Sequence, residues 1–66
     1  MEEVRREGEQ VVVSLSLDEL RLIGATINEA LNGGYAIPGD IWPELLGHST
    51  QDAEALLDGL LGIVES

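Results

Sequence analysis

The groups best able to do chemistry in this chain are one histidine, thirteen Asp and Glu carboxylates and two large aromatic side chains, Tyr35 and Trp42. His48 precedes Ser49 and Thr50, and a histidine beside a hydroxyl is the minimum for nucleophilic catalysis. Adjacency in sequence is no evidence of such a pair, because base, nucleophile and orienting group must meet in space. Gly47-His48-Ser49-Thr50 reads instead as a loop that caps a helix. Among the carboxylates, Asp52, Glu54 and Asp58 share the last predicted helix, and Glu54 and Asp58, four residues apart, are neighbours on one face. Paired carboxylates can hold Ca²⁺ or Mg²⁺, but the spacing of an EF-hand loop with its glycine is missing. With no cysteine and a single histidine in the chain, a transition metal lacks ligands. These acids therefore read as a solvated face. Gly33-Gly34, Gly39 and Gly47 are spaced like turns and form no phosphate-binding loop. No cofactor, no metal and no enzymatic activity is expected.

Binding is the chemistry that remains. The net charge is −10, and all three basic residues, Arg5, Arg6 and Arg21, lie early. From Leu22 to Ser66 there are seven acidic residues and no Lys or Arg. Such a surface repels nucleic-acid phosphates and anionic lipid and attracts a basic protein, although acid also keeps a small protein soluble. Leu45 to Leu61 has the outline of a helix-turn-helix, but its second helix has no cation to hold phosphate, so DNA is not expected as a partner. The carboxylates expected to face a basic partner are Glu29, Asp40, Glu44, Asp52, Glu54 and Asp58. Tyr35 and Trp42, both on the connector, are candidate apolar anchors, with Trp42 also able to serve as a lid over the helix pair.

The elements that must position these residues follow from periodicity. Gln10 to Ser16 alternates, with Val11, Val13 and Leu15 on one side and Val12, Ser14 and Ser16 on the other, and three successive valines favour a strand. A lone strand cannot satisfy its own backbone groups. It needs a neighbour from the N-terminal arm, a second copy or a partner, which makes Val11, Val12, Val13 and Leu15 candidate dimerisation residues. The arm itself, residues 1–9, is charge-rich; it frays, or forms a first strand returning at Glu7-Gly8. Ser16-Leu17-Asp18-Glu19 is a capping box that starts a helix over Leu17 to Asn32. Leu20, Ile23, Ile27, Ala30 and Leu31 form its apolar stripe, and Gly24 within the stripe lets another helix approach. Gly33-Gly34 ends it, glycine taking the left-handed cap conformation readily. After a connector with two prolines, a short helix over Ile41 to Leu46 tolerates Pro43 in its first turn. Ser49 caps the last helix, Thr50 to Val64, whose stripe is Ala53, Leu56, Leu57, Leu60, Leu61 and Val64. On another face stand Ala55, Gly59 and Gly62; glycines in a helix cost about 1 kcal/mol each relative to alanine, and close packing against another helix is one reason to keep them.

The expected fold is mainly α with one or two short β-strands: a strand followed by an antiparallel helical pair with a short connecting helix, residues 10–66 forming one small β-α-α domain behind the arm. A 66-residue chain buries only about 60% of the surface its unfolded form exposes, so its stability margin is thin. Without disulfides or a metal, self-association or a partner is the remaining support. No apolar run approaches the roughly 20 residues of a membrane span, and the charged start has no apolar signal core, so a cytoplasmic protein is expected.

Three segments carry a resemblance: Ser16-Leu17-Asp18-Glu19-Leu20, then Ile27-Asn28-Glu29-Ala30-Leu31-Asn32-Gly33, then Ala53-Glu54-Ala55-Leu56-Leu57. Together they resemble small acidic immunity proteins of bacterial polymorphic or contact-dependent toxin systems, over about residues 11–64. The connector from Gly34 to His48 lies outside the shared pattern. The resemblance implies a cytoplasmic inhibitor that binds one toxin domain, often a basic nuclease, with its acids standing in for substrate phosphates. The expected function is thus a protein-binding, immunity- or antitoxin-like inhibitor of a basic partner, toxin enzymes included. Two alternatives stand beside it: a homodimeric assembly module using strand 11–15, and an acidic anti-defence inhibitor of a nucleic-acid-binding machine.

Overall fold

A computed structural model describes all 66 residues. The chain is mainly helical, with a β-hairpin at its start. The charged arm is paired: β1 spans Glu2–Glu7 and β2 spans Gln10–Ser14, antiparallel to it. Gly8 and Glu9 form the two-residue turn, with Gly8 at φ 63° and no non-glycine residue at positive φ. A hairpin turn with only its first central residue at positive φ matches strand twist and favours glycine there. Register pairs Arg5 with Val12, Arg6 with Val11 and Glu3 with Val13, and slips between Glu3 and Arg5. The extra residue, Val4, brings Glu3 and Arg6 to the same face although they are three apart. Their ion pair at 2.7 Å depends on that slip.

Helix α1 covers Leu17–Asn32 and α3 covers Thr50–Val64. Ser16 caps α1 as its spacing requires: Ser16 Oγ accepts from the Glu19 backbone N–H at 3.1 Å, and Glu19 accepts from the Ser16 N–H at 2.9 Å. Ser49 builds the same box on α3, with Asp52 as the returning carboxylate. Between the helices, a 3-10 turn over Gly39–Ile41 leads into α2, Trp42–Leu46, one residue later than the short helix expected at Ile41. Gly47 ends α2 in the left-handed conformation at φ 73°. Gly33 does not end α1 that way; its φ is −74° and its backbone is extended. Its requirement is space, since a Cβ there would lie 2.6 Å from the Glu29 carbonyl oxygen.

The helices α1 and α3 pack on each other, while the hairpin touches them only lightly. Late α1 meets early α3 and early α1 meets late α3, so the pair is antiparallel. At the crossing Gly24 is buried, and the Leu57 Cδ1 lies 3.8 Å from where its Cβ would be. The interior is small. Of 66 residues only Gly24, Trp42 and Leu57 are buried. The stripe residues Leu20, Ile23, Ile27, Ala30, Leu31, Ala53, Leu60 and Val64 are half-buried, while Leu56 and Leu61 are exposed.

The total accessible surface is 5152 Å² for a chain of 7.1 kDa. A folded monomer of that mass exposes about 4,100 Å². The radius of gyration, 13.3 Å, likewise exceeds the roughly 11 Å of a compact chain of this length. No helix is long and apolar enough to cross a membrane.

Candidate functional site

The helical pair is open on both sides. On one, Leu20, Gly24 and Ala25 of α1 face Leu57, Leu60, Leu61 and Val64 of α3 across a groove of about 390 Å³, with Arg21 and Asn28 at its margin. On the other, Thr26, Ile27 and Ala30 face Asp52, Ala53, Ala55 and Leu56 across a wider groove of about 710 Å³, closed at one end by Ile37, Trp42, Leu46 and His48. The second groove is mainly apolar, and Leu46 and Leu56 at its rim are 45% and 57% exposed.

Trp42 is the buried member of the lining of this wider groove. It is 4% exposed, and its indole Nε1–H donates to the Ile37 carbonyl at 3.0 Å. Of the two roles expected for Trp42, apolar anchor and lid over the helix pair, its burial in the free chain agrees with the lid: it is an internal prop, and its one polar atom is satisfied by the connector. The reason is local. Pro38 holds the connector extended, and the 3-10 turn that follows swings the first residue of α2 under the Ile37 carbonyl. Tyr35 is the opposite case, fully exposed at 102% and free to act as an anchor.

Glu29, Asp40, Glu44, Asp52, Glu54 and Asp58 are all exposed. Only Asp52 has an ionic neighbour, the His48 Nδ1 at 3.5 Å, and His48 is itself exposed. The Asp52 carboxyl is held below the ordinary carboxylate range, first by the Ser49 backbone N–H and then by His48. The arginines are spent elsewhere: Arg5 on Glu7, Arg6 on Glu3 and Arg21 on Asp18. Five of the six carboxylates therefore carry charge that nothing in the chain offsets. No three of the His, Asp and Glu side chains come together in a way that could hold a metal ion.

Comparison with protein-family models, curated proteins and solved structures finds no match.

Of the candidate dimerisation residues, Val11 and Val13 are exposed at 44% and 42%, and Val12 and Leu15 are half-buried. Leu15 falls just beyond β2, which ends at Ser14. One side of β2 is paired with β1; the sheet has no third strand. The groove residues Ile37 and Leu46 were not singled out by sequence, and Leu56 was placed on the core stripe of α3. A signal was present: Ala55, Leu56, Gly59 and Ile63 recur at spacings of one, three and four residues and trace a second apolar stripe. Gly59 and Gly62 have open space where a Cβ would stand, so they do not serve a close helix contact within this chain.

Proposed function

We propose that this chain is a protein-binding inhibitor of the immunity or antitoxin type, acting in the cytoplasm, that completes its thin helical layer on a partner carrying an apolar ridge flanked by basic residues. The observation that carries this reading is the surplus of surface. The chain exposes about 1,000 Å² more than a compact monomer of its mass, and thirteen large apolar side chains contribute to its 5152 Å². A standard interface covers about 800 Å² on each partner, so one such interface would bring the chain close to the exposure of an ordinary folded protein.

Charge supports the choice of a basic partner. The wide groove has no Lys or Arg in its lining, and the seven carboxylates after Arg21 face no Lys or Arg in that stretch. In this reading Leu46 and Leu56 contact the partner's ridge and Tyr35 anchors the margin. Glu29, Asp40, Glu44, Asp52, Glu54 and Asp58 steer a basic surface and, where the partner is a nuclease, occupy the place of substrate phosphates.

The test uses the product of the neighbouring gene as the candidate partner. Raising salt from about 50 to 500 mM should slow association at least tenfold, because a Debye length of about 10 Å at 0.1 M shrinks well below the span of the acidic surface. Leu56→Arg should raise the dissociation rate without unfolding the chain, since Leu56 is 57% exposed. An association rate indifferent to salt rules out electrostatic recognition, and an unchanged dissociation rate for Leu56→Arg rules out this groove.

A further inference from the structure

We propose that the free edge of β2 pairs antiparallel with the β2 edge of a second copy of this chain, across a two-fold axis at Val12, to make a four-stranded sheet. This contact is separate from the inhibitor contact: no residue of β2 lines the wide groove.

The sheet has two strands, β1 and β2, and nothing else pairs with it. Outside the helices and the hairpin ladder, no backbone hydrogen bond involves residues 8–15, and none of those residues takes part in a side-chain hydrogen bond; the nearest such bonds end at Glu7 and begin again at Ser16. A two-stranded hairpin is marginal by itself and gains stability from a third strand or from packing on a helix. This one packs on the helices only lightly.

The two edges differ. β1 carries Glu2, Glu3, Arg5, Arg6 and Glu7 and is interrupted at Val4, and both charge and a bulge blunt an edge against pairing. β2 is Gln-Val-Val-Val-Ser, five residues with no charge, no proline and no irregularity of its own. A two-fold at Val12 sets Val11 opposite Val13 of the second copy, Val12 opposite its own mate and Gln10 opposite Ser14. No like charges meet. Val11 and Val13 lie on the exposed face, opposite Arg6 and Glu3, so the pairing gathers four valines into one apolar cluster where each copy alone leaves two half-exposed. Pairing in this register exposes no residue now buried and satisfies the open backbone groups of both chains.

The salt response separates this contact from the proposed inhibitor contact. Two copies of net charge −10 repel, so salt should strengthen the self-association and weaken binding to a basic partner. Sedimentation of the full chain should show a dimer at micromolar concentration, tighter at 500 than at about 50 mM salt. Val11→Glu with Val13→Glu sets carboxylate against carboxylate across the axis and should weaken the dimer at least about tenfold. Val11→Glu with Val13→Lys sets opposite charges across the axis, agrees with the cross-strand neighbours Arg6 and Glu3, and should remain dimeric.

Should the first variant fail to fold, cysteine pairing decides. The chain has no cysteine. A mixture of Val11→Cys and Val13→Cys chains should oxidise to the mixed disulfide ahead of either homodisulfide, because the register sets position 11 against position 13. A monomer at about 100 µM, which leaves only weaker than micromolar association, overturns the proposal. So does a dimer that the two glutamates leave intact, or a cross-linking pattern with no preference for the mixed product.

Discussion

The hairpin and the helical pair are held together by different forces, and each is incomplete in its own terms. The hairpin is a backbone structure. Its ladder is continuous apart from the slip at Val4, its ion pairs are exposed, and most of its side chains face solvent. Exposed ion pairs add little, roughly 0–1 kcal/mol, so the ladder itself and the partial burial of Val12 must hold it. The helical pair is a side-chain structure. It rests on Trp42, Leu57 and the contact between Leu57 and Gly24 at the crossing, with half-buried aliphatic residues around them. The first lacks a third strand and the second lacks a third layer. A chain built this way keeps its fold local and leaves the completion of each half to contacts outside itself.

The strongest way to break this contrast is Trp42→Ala. Truncating a buried aromatic costs about 3–5 kcal/mol, comparable with the whole stability of a chain this size, roughly 3–10 kcal/mol at 0.05–0.15 per residue. Urea titration followed by far-ultraviolet circular dichroism should show the helical signal lost at little or no denaturant. Trp42→Phe keeps most of the volume and removes the indole bond to the Ile37 carbonyl, leaving that acceptor unpaired; the expected loss is about 1–2 kcal/mol. Wild-type midpoints for both variants would mean that Trp42 does not support the helical pair.

Glycines sharpen the comparison with a smaller effect. Gly24, at the crossing, would place a Cβ 3.8 Å from Leu57, ordinary contact, whereas Gly59 and Gly62 would place theirs in open space. Gly59→Ala and Gly62→Ala should therefore each stabilise the free chain by about 0.5–1 kcal/mol through helix propensity alone. If α3 presents this stripe to a partner helix, the same changes should weaken that complex. Stability that falls, in the absence of any partner, would mean that these positions are tightly packed after all.

These residues also mark what the sequence could and could not reveal. Both long helices begin and end where stripe and cap placed them, Leu17–Asn32 and Thr50–Val64, because capping and periodicity are local. β2 is shorter than the alternation suggested, ending at Ser14, since Ser16 is taken by the helix cap. The arm's pairing hung on a Glu-Gly pair that is a weak turn signal, and the slip at Val4 has no local signature at all. Exposure was harder still. Leu56 and Leu61 share a periodicity with Leu57 and Leu60, yet the pair has no third layer to cover them. Trp42's burial depends on where the connector carries α2, which no spacing encodes. The acids proposed for the partner face were legible as types and as exposed; their lack of neutralising partners became visible only once each arginine had a position.

The smallest effect compares the two capping boxes, which share a geometry and differ in their neighbours. In the first, Glu19 accepts from the N-terminal ammonium at 2.6 Å as well as from Ser16, and its pKa drops from 4.5 to about 2, with that ammonium as the largest cause. In the second, Asp52 is lowered mainly by the Ser49 N–H. A carboxylate with a depressed pKa adds stability that is complete above its ordinary range and is lost as pH falls through its folded value. For Glu19 that loss runs from about pH 4.5 down to 2. The contact also ties the start of β1 to the first turn of α1, so it bears on how the two halves are joined. Glu19→Gln keeps a residue able to close the box while removing the charge. Thermal unfolding followed between pH 5 and 2 should therefore show a shallower acid decline for Glu19→Gln than for the wild type, and Asp52→Asn should flatten the decline in the same direction but less. Parallel declines in the wild type and Glu19→Gln would mean that the ammonium contact does not help fasten the hairpin to the helices.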